Sequence, residues 1–269
     1  MFTEYLHGYS IEEQQRLVKQ AEYWQDKLIL HDLHFSAGEY LLEIGCGVGA
    51  VLGVLGKAFP GLNLAGVDLD STQIEYARKH LSNLSLPDAD LRVADAKKLP
   101  WPDASFDHVY IMWLLEHVSD PKVILREAYR VLKPGGTITI TETDYMNFLI
   151  WPESNDYRYL QNSLYELFHH TGGQPHIGRV LGPLLLSAGF SKVTNTPLGI
   201  HYFRSLGNED LRNFIEWLYC VIESTINHMT QKLGKNPERL RSGLEFFRSI
   251  PDQSESAATA VIYRALARR

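Results

Sequence analysis

The sequence predicts an α/β protein built on an open, mostly parallel sheet with helices on both faces. Three observations carry this expectation. Short apolar runs alternate with helical stretches between residues 40 and 143, glycines cluster at the first strand-to-helix junction, and turn residues punctuate the boundaries. Strands separated by helices of about ten residues make βαβ units, which build parallel sheets.

The elements follow in order. Residues 1–36 read as a polar-aromatic helical leader, with Leu17, Val18, Ala21, Trp24, Leu28 and Leu33 close to helical spacing. Strands are expected over 40–45, 62–69, 90–94, 106–112 and 136–143, and helices over 49–59, 72–81 and 121–132. Thr72 and Glu75 have the spacing of a capping box. Asp120-Pro121 supplies an N-cap with proline at the first helical position, and Lys133-Pro134-Gly135-Gly136 ends that helix. Beyond Thr143 the alternation breaks. Residues 146–175 read as a helical insertion with Leu160, Leu164, Leu167 and Phe168 on one face, closed by Thr171-Gly172-Gly173. A helix over 176–188 and a strand over 191–201 resume the core. Asn208 is expected to cap one long helix reaching residue 233, and Asn236-Pro237 opens another reaching about residue 250. Residues 257–265 form the last of seven strands.

At 269 residues, the chain suits one α/β domain with insertions. Hydrophobic residues make up 45% and charged residues 22%, ordinary values for a globular protein. The net charge of −6, without a basic stripe, argues against a nucleic-acid partner and for a small-molecule acceptor. A protein or lipid-like substrate stays open, as does the choice between monomer and homodimer. The N-terminus has no signal-peptide pattern, and no apolar run is long enough to span a membrane. Cys46 and Cys220 give no disulfide framework, which fits the cytoplasm.

The sharpest motif is Leu41-Leu42-Glu43-Ile44-Gly45-Cys46-Gly47-Val48-Gly49, between a strand and a helix. Glycines there let the backbone pass close to a ligand, and amides at the helix start favour hydrogen-bond-accepting ligand atoms. The triplet alone also matches a dinucleotide fingerprint. Its companions discriminate. Asp68, 19 residues after Gly49, ends the second strand, where a carboxylate can accept from ribose hydroxyls of either cofactor. Glu43 would repel a pyrophosphate but favours a sulfonium or an ammonium group. Asp95-Ala96 ends the third strand, placed for an adenine amino group.

With these residues in view, LLEIGCGVGA, AGVDLD, VADAKKLPWPDASFDHVYIMWLLEHV and REAYRVLKPGGTITI resemble the ordered motifs of class I S-adenosylmethionine-dependent methyltransferases. The similarity covers about residues 40–143 and is strongest to the small-molecule group that includes ubiquinone/menaquinone-type C-methyltransferases. It implies a Rossmann-like sheet of order 3-2-1-4-5-7-6 with strand 7 antiparallel, and S-adenosyl-L-methionine as cofactor. The implied contacts are Glu43, Gly45, Cys46, Gly47 and Gly49 for the methionine portion, and Asp68 with Leu69 for ribose. Asp95 and Ala96 are implied for adenine, with Met112, Trp113 and Leu114 closing over the ligand. The leader resembles lids of some members, which nominates Tyr5, Tyr9 and Arg16, the last as a bidentate partner for the methionine carboxylate.

Methyl transfer from a sulfonium needs alignment and exclusion of water more than a catalytic triad or a metal. A general base matters only for an acceptor that arrives protonated. The acceptor is expected above the C-terminal edge of the sheet, which nominates His117, Asp144 and Tyr145 as catalytic candidates. Glu142, His169, His170, His176 and Trp217 are further pocket residues. Adjacent His169 and His170 point to different helix faces, so no shared metal is expected. Aromatic residues in the insertions suit a planar or apolar acceptor. Cys46 is expected to be a small loop residue, and Cys220 buried and inert. Two rivals remain open from sequence: an NAD(P)-dependent oxidoreductase using the same loop, although no Tyr-x-x-x-Lys dyad is visible, and a non-catalytic S-adenosylmethionine-binding protein.

Overall fold

A computed structural model describes residues 8–205 and 209–269. The chain begins with α1 (Ile11–Trp24) and a π-helical turn (Gln25–Ile29). It continues through β1 (Tyr40–Ile44), α2 (Ala50–Ala58), β2 (Asn63–Asp68), α3 (Ser71–Asn83), β3 (Asp90–Val93) and β4 (Phe106–Met112). Then come α4 (Pro121–Val131), β5 (Leu132–Thr143), β6 (Leu149–Trp151), α5 (Asn155–His170), α6 (Ile177–Ser187) and β7 (Ser191–Phe203). The last elements are α7 (Asp210–Glu223), α8 (Ile226–Leu233), α9 (Pro237–Ser249) and β8 (Ala257–Arg268).

Strands β3, β2, β1, β4 and β5 pair in parallel in that order, and β8 joins β5 antiparallel. Strand β7 pairs β8 from Ser191 to Phe203, whereas β5 and then β6 pair successive stretches of β8. A strand has two edges, so β5 and β6 share one and β7 takes the other. With β6 set aside, this is the expected 3-2-1-4-5-7-6 sheet with one antiparallel strand. Alternation along the strands separates two apolar layers. Leu41 and Tyr110 pack toward α1, α2 and the insertions; Leu42, Val109 and Ile138 pack toward α4 and α6.

Several local expectations give way to tertiary context. Helix α3 is capped by Asp70, whose carboxylate accepts from the amides of Thr72 and Gln73, so the Thr72–Glu75 box is not the cap. Residues 149–151 form a short strand rather than helix, because Leu149, Ile150 and Trp151 find the open edge of β8. The long helix expected to residue 233 breaks in two. Ser224 and Thr225 turn their hydroxyls back onto the carbonyls of Val221 and Ile222, competing with the helical ladder. Asn208, its expected cap, lies outside the described residues, as does Tyr5. Asp120 and Asn236 cap α4 and α9 as expected.

The leader divides. Ser10 caps α1 by accepting from the amide of Glu13. The far end of the leader is core: Trp24, Leu28, Ile29 and Leu33 are buried in the main apolar cluster. Cys220 is exposed, not buried. On α7 the 3.6-residue period turns Phe214, Leu218, Val221 and Ile222 inward and leaves Cys220 outward with Glu223.

Among the described residues, no helix is long and apolar enough to cross a membrane.

Candidate active site

A cavity of about 230 Å3 opens at the C-terminal ends of β1, β2, β4 and β5. This is where parallel sheets bind ligands, because the helix N-termini and connecting loops converge there. The glycine loop forms its floor. Gly45, Gly47 and Gly49 all have positive φ, at 78°, 47° and 71°. The amides of Gly45 and Cys46 donate to the carbonyl of Val67, which pins the loop to β2.

Asp68 completes this clasp. Its Oδ2 accepts from the amide of Gly47 at 2.9 Å and its Oδ1 from the amide of Asp70 at 3.0 Å. Burial raises its pKa against those hydrogen bonds. Each oxygen keeps a lone pair for a ligand donor. Asp95 stands on the next loop, Oδ1 held by the amide of Lys97 at 2.9 Å, and lines the cavity with Ala96.

Glu43 is the outstanding charge. Its side chain is 2% exposed, and its Oε2 has no hydrogen-bond partner among the described residues. Burial pushes its carboxyl well above the ordinary range; the Leu52 amide opposes that, and the nearby Asp68 adds to it. Burial also raises the Cys46 thiol, with Glu43 and Asp68 contributing, so this cysteine is a poor nucleophile.

The opposite wall comes from the segment after β4. Met112, Trp113 and Leu114 line the cavity, Trp113 in a left-handed conformation with φ of 51°. A non-glycine residue there costs on the order of 1 kcal/mol and needs outside support. Its indole donates to Thr143 Oγ1 at 2.9 Å, and its ring stacks on Trp217. The carboxylate of Glu142 accepts from the amides of Leu114 and Leu115 at 3.0 and 2.7 Å. Glu142 therefore shapes this wall from behind and does not line the cavity.

Of the catalytic candidates, His117 and Tyr145 line the cavity and Asp144 does not. Asp144 is fully buried elsewhere, paired with Arg179 at 2.5 Å, and it caps the turn of residues 145–147 through the amide of Met146. Its charge is committed to structure. Burial lowers His117 to about 4, helped by the positive charge of Arg16, so its ring is neutral. His169, His170 and His176 lie outside the cavity, while Trp217 lines it.

One residue escaped the sequence reading. Glu116, next to His117, is 2% exposed and lines the cavity. Its Oε1 accepts from the Tyr145 hydroxyl at 3.0 Å, and its Oε2 is buried without a partner among the described residues. Burial raises it to about 8. The signal was its position one residue before a nominated histidine in a strand-to-helix loop.

The leader contributes the roof. Tyr9, Arg16, Leu17 and Gln20 line the cavity. The guanidinium of Arg16 is bound at both ends by Glu13, at 2.7 Å each, and donates to Gln20 at 2.6 Å. Its bidentate face is thus already matched to a carboxylate of its own helix. Gly49 is absent from the lining; a Cβ there would sit 3.1 Å from that of Ala77, so it serves the packing of α2 on α3.

Fold and cavity together define a Rossmann-like α/β protein whose ligand pocket, at the C-terminal edge of the parallel strands, is lined by the carboxyl groups of Glu43, Asp68, Asp95 and Glu116. A family profile described as a methyltransferase domain matches residues 42–140. The chain is 30% identical over 198 residues to a demethylmenaquinone methyltransferase of Lactobacillus johnsonii, covering 66% of this chain and 78% of that protein. It is 35% identical over 173 residues to an uncharacterized 37.1 kDa protein in transposon TN4556 of Streptomyces fradiae, covering 64% of this chain. There the chain spans only 49% of its relative's length. The geranyl diphosphate C-methyltransferase of Streptomyces coelicolor A3(2) shares the fold, with a TM-score of 0.59 at 15% identity over 96% of this chain and 84% of that one. The chain belongs to the class I S-adenosylmethionine-dependent methyltransferase family.

Proposed function

We propose that the protein transfers the methyl group of S-adenosylmethionine to a small-molecule acceptor held between the wall after β4, the turn after β5 and the roof formed by α1 and α7. The observation that carries this reading is Glu43, a buried carboxylate with one oxygen unpartnered beside the glycine loop. A ligand cation satisfies it, whereas a pyrophosphate would add repulsion in a poorly solvated site. That contrast favours a sulfonium- and ammonium-bearing cofactor over NAD.

When bound, the cofactor supplies a methyl group already activated on a sulfonium. The chain's own residues hold and align. Asp68 and Leu69 take the ribose, Asp95 and Ala96 the adenine, and Glu43, Gly45, Cys46 and Gly47 the methionine portion. Met112, Trp113 and Leu114 form the facing wall. Tyr9 and the first half of α1, with Arg16, exclude water from above. Residues 37–145 then act as the cofactor-binding core, with 146–175 and 204–250 supplying the acceptor side. The aromatic walls of Trp113, Tyr145, Phe148 and Trp217 suit an acceptor with an apolar or planar body. In-line displacement gains mainly from this alignment and from dryness.

Calorimetric titration with S-adenosylhomocysteine and with NAD tests the reading. Saturable binding of the first alone is expected; binding of NAD alone overturns it. Retention of a radioactive methyl group on an acceptor extracted from cell metabolites tests turnover.

A further inference from the structure

We propose that the acceptor is an amine bound as its ammonium ion, and that Glu116 recognises this cation and takes its proton before methylation. This deepens the reading above and rests on it.

Among the described residues, four carboxylates line the cavity: Glu43, Asp68, Asp95 and Glu116. The first three border the glycine loop and the loops after β2 and β3, the side the cofactor occupies. Glu116 stands apart, on the turn after β4, in contact with Tyr145 from the turn after β5. Its second oxygen is buried and unpartnered, an acceptor atom for a ligand donor. Trp113, Tyr145, Phe148 and Trp217 line the same cavity, and aromatic faces attract an ammonium group through their ring quadrupoles. His117 is neutral, and the positive charge of Arg16, which reaches His117, is offset by the Glu13 carboxylate bound to it.

The groups around Glu116 set its proton affinity. Glu142 faces it from β5, its carboxyl turned to the amides of residues 114–116; burial first, and then the neighbouring Glu116, hold the Glu142 carboxyl well above the ordinary range. Tyr145 donates to Oε1 and the Thr143 backbone assists ionisation, while His117 Nε2 lies 3.4 Å from Oε1. Phe168 of α5 stacks on His117 and adds no charge. Burial is the largest influence, and a carboxyl near 8 is mostly protonated at pH 7 without a ligand. Arrival of an ammonium ion drives one proton to solvent, whichever partner of the pair keeps the other. With that remaining proton on Glu116, the nitrogen lone pair bonds the methyl carbon as the carbon–sulfur bond breaks. The electrons of that bond stay on sulfur, and the methylated nitrogen takes up the positive charge. After product leaves, Glu116 keeps that proton as its ligand-free form does, so each turnover frees one proton in all, the one released on binding.

The test uses the full chain saturated with S-adenosylhomocysteine, titrated calorimetrically with benzylamine, butylamine, benzyl alcohol and butanol. Expected are amine affinities at least tenfold above those of the matched alcohols. In buffers of different ionisation enthalpy at pH 7, about one proton should be released per amine bound, from the displaced carboxyl proton. Glu116→Gln should abolish both the preference and the release. Tyr145→Phe, which keeps the carboxyl but removes its hydrogen bond, should keep the preference and move the release to higher pH. Equal binding of amines and alcohols, no amine binding at 10 millimolar (about the weakest affinity such fragments show), or no proton release would overturn the proposal. Failure of S-adenosylhomocysteine to bind would instead sink the cofactor assignment, so the two failures are distinguishable.

Discussion

The guanidinium of Arg264, on the last strand, donates to the backbone carbonyl of His31, at the end of the leader, at 2.9 Å. It also donates to the carbonyl of Leu28 and to Thr141 Oγ1, and it is almost wholly buried. The carbonyls ending a helical segment lack internal partners and carry partial negative charge. One buried arginine thus fastens the leader to the sheet.

Arg264→Met should therefore destabilise the whole fold. It takes the guanidinium donor away from the carbonyls of Leu28 and His31 and from the Thr141 hydroxyl, a loss on the order of 3 kcal/mol. Urea unfolding followed by circular dichroism checks this. Removal of residues 1–20 should behave differently, because Trp24, Leu28, Ile29 and the Arg264 contacts survive. It should cost more in S-adenosylhomocysteine affinity than in unfolding midpoint; a truncated chain that binds as tightly as the intact one removes the lid.

Asp68 is tied both to the glycine loop and, in the proposed function, to the ribose. Asp68→Ala should weaken S-adenosylhomocysteine binding by about 2 kcal/mol or more, since the diol loses a charged acceptor and Gly47 loses its anchor. Asp68→Asn keeps an oxygen for the Gly47 amide and should lose less. Calorimetry that ranks the two equally, or shows no loss, removes Asp68 from the ribose site.

Stability should fall as pH rises above neutrality. Glu43, Glu116 and Glu142 are buried with raised pKa values, Glu116 to about 8. The unfolded chain releases these protons near the ordinary value of 4.5. Their contribution is complete below that value and is lost as pH climbs through each folded pKa. His117 works the other way: lowered to about 4, its contribution is complete above 6.5 and is lost as pH falls. Urea midpoints of the ligand-free protein should decline from pH 7.5 to 8.5, a window about one unit or more above the unfolded His117 pKa, where its contribution is nearly complete. Glu116→Gln should flatten the decline, and an unchanged slope in that variant would place its ionisation elsewhere.

The parallel half of this protein was legible because its rules are local. The period of β1 and β4, the Asp120-Pro121 cap and the loop from Gly45 to Gly49 each carry their meaning within a few residues. Asp68 and Asp95 follow from the strands that end at them. What the sequence hid depends on neighbours far along the chain. Residues 149–151 pair because β8 offers an edge, and Asp144 points away from the cavity because Arg179 of α6 takes its charge. Arg16 meets Glu13 on its own helix. Glu116 was hidden for another reason: a glutamate in a loop reads as solvated until Tyr145 and Phe168 are seen closing over its turn.

The two cysteines should react at separate times. Cys220 is exposed on α7, whereas Cys46 is buried under the glycine loop with its thiolate opposed by burial, Glu43 and Asp68. An aromatic disulfide reagent should label Cys220 first and Cys46 only as the protein unfolds, and Cys220→Ser should remove the fast phase. Simultaneous labelling would mean that the loop opens freely.

Glycines 47 and 49 share a backbone conformation but not a neighbourhood, so their alanine variants should fail differently. At Gly49 the added Cβ meets the Cβ of Ala77 at 3.1 Å and the backbone of α3 at 3.4 Å, with φ at 71°. Strain and crowding together should cost about 2–3 kcal/mol of stability. At Gly47 the nearest atom to an added Cβ is the end of Leu17, 4.0 Å away across the cavity. Gly47→Ala should cost only about 1 kcal/mol of stability, from its left-handed φ. Its methyl group enters ligand space, however, and should cut S-adenosylhomocysteine affinity at least tenfold. Measuring unfolding midpoint and affinity for both variants separates the two roles: Gly47→Ala binding at wild-type strength would mean that the ligand does not approach this turn.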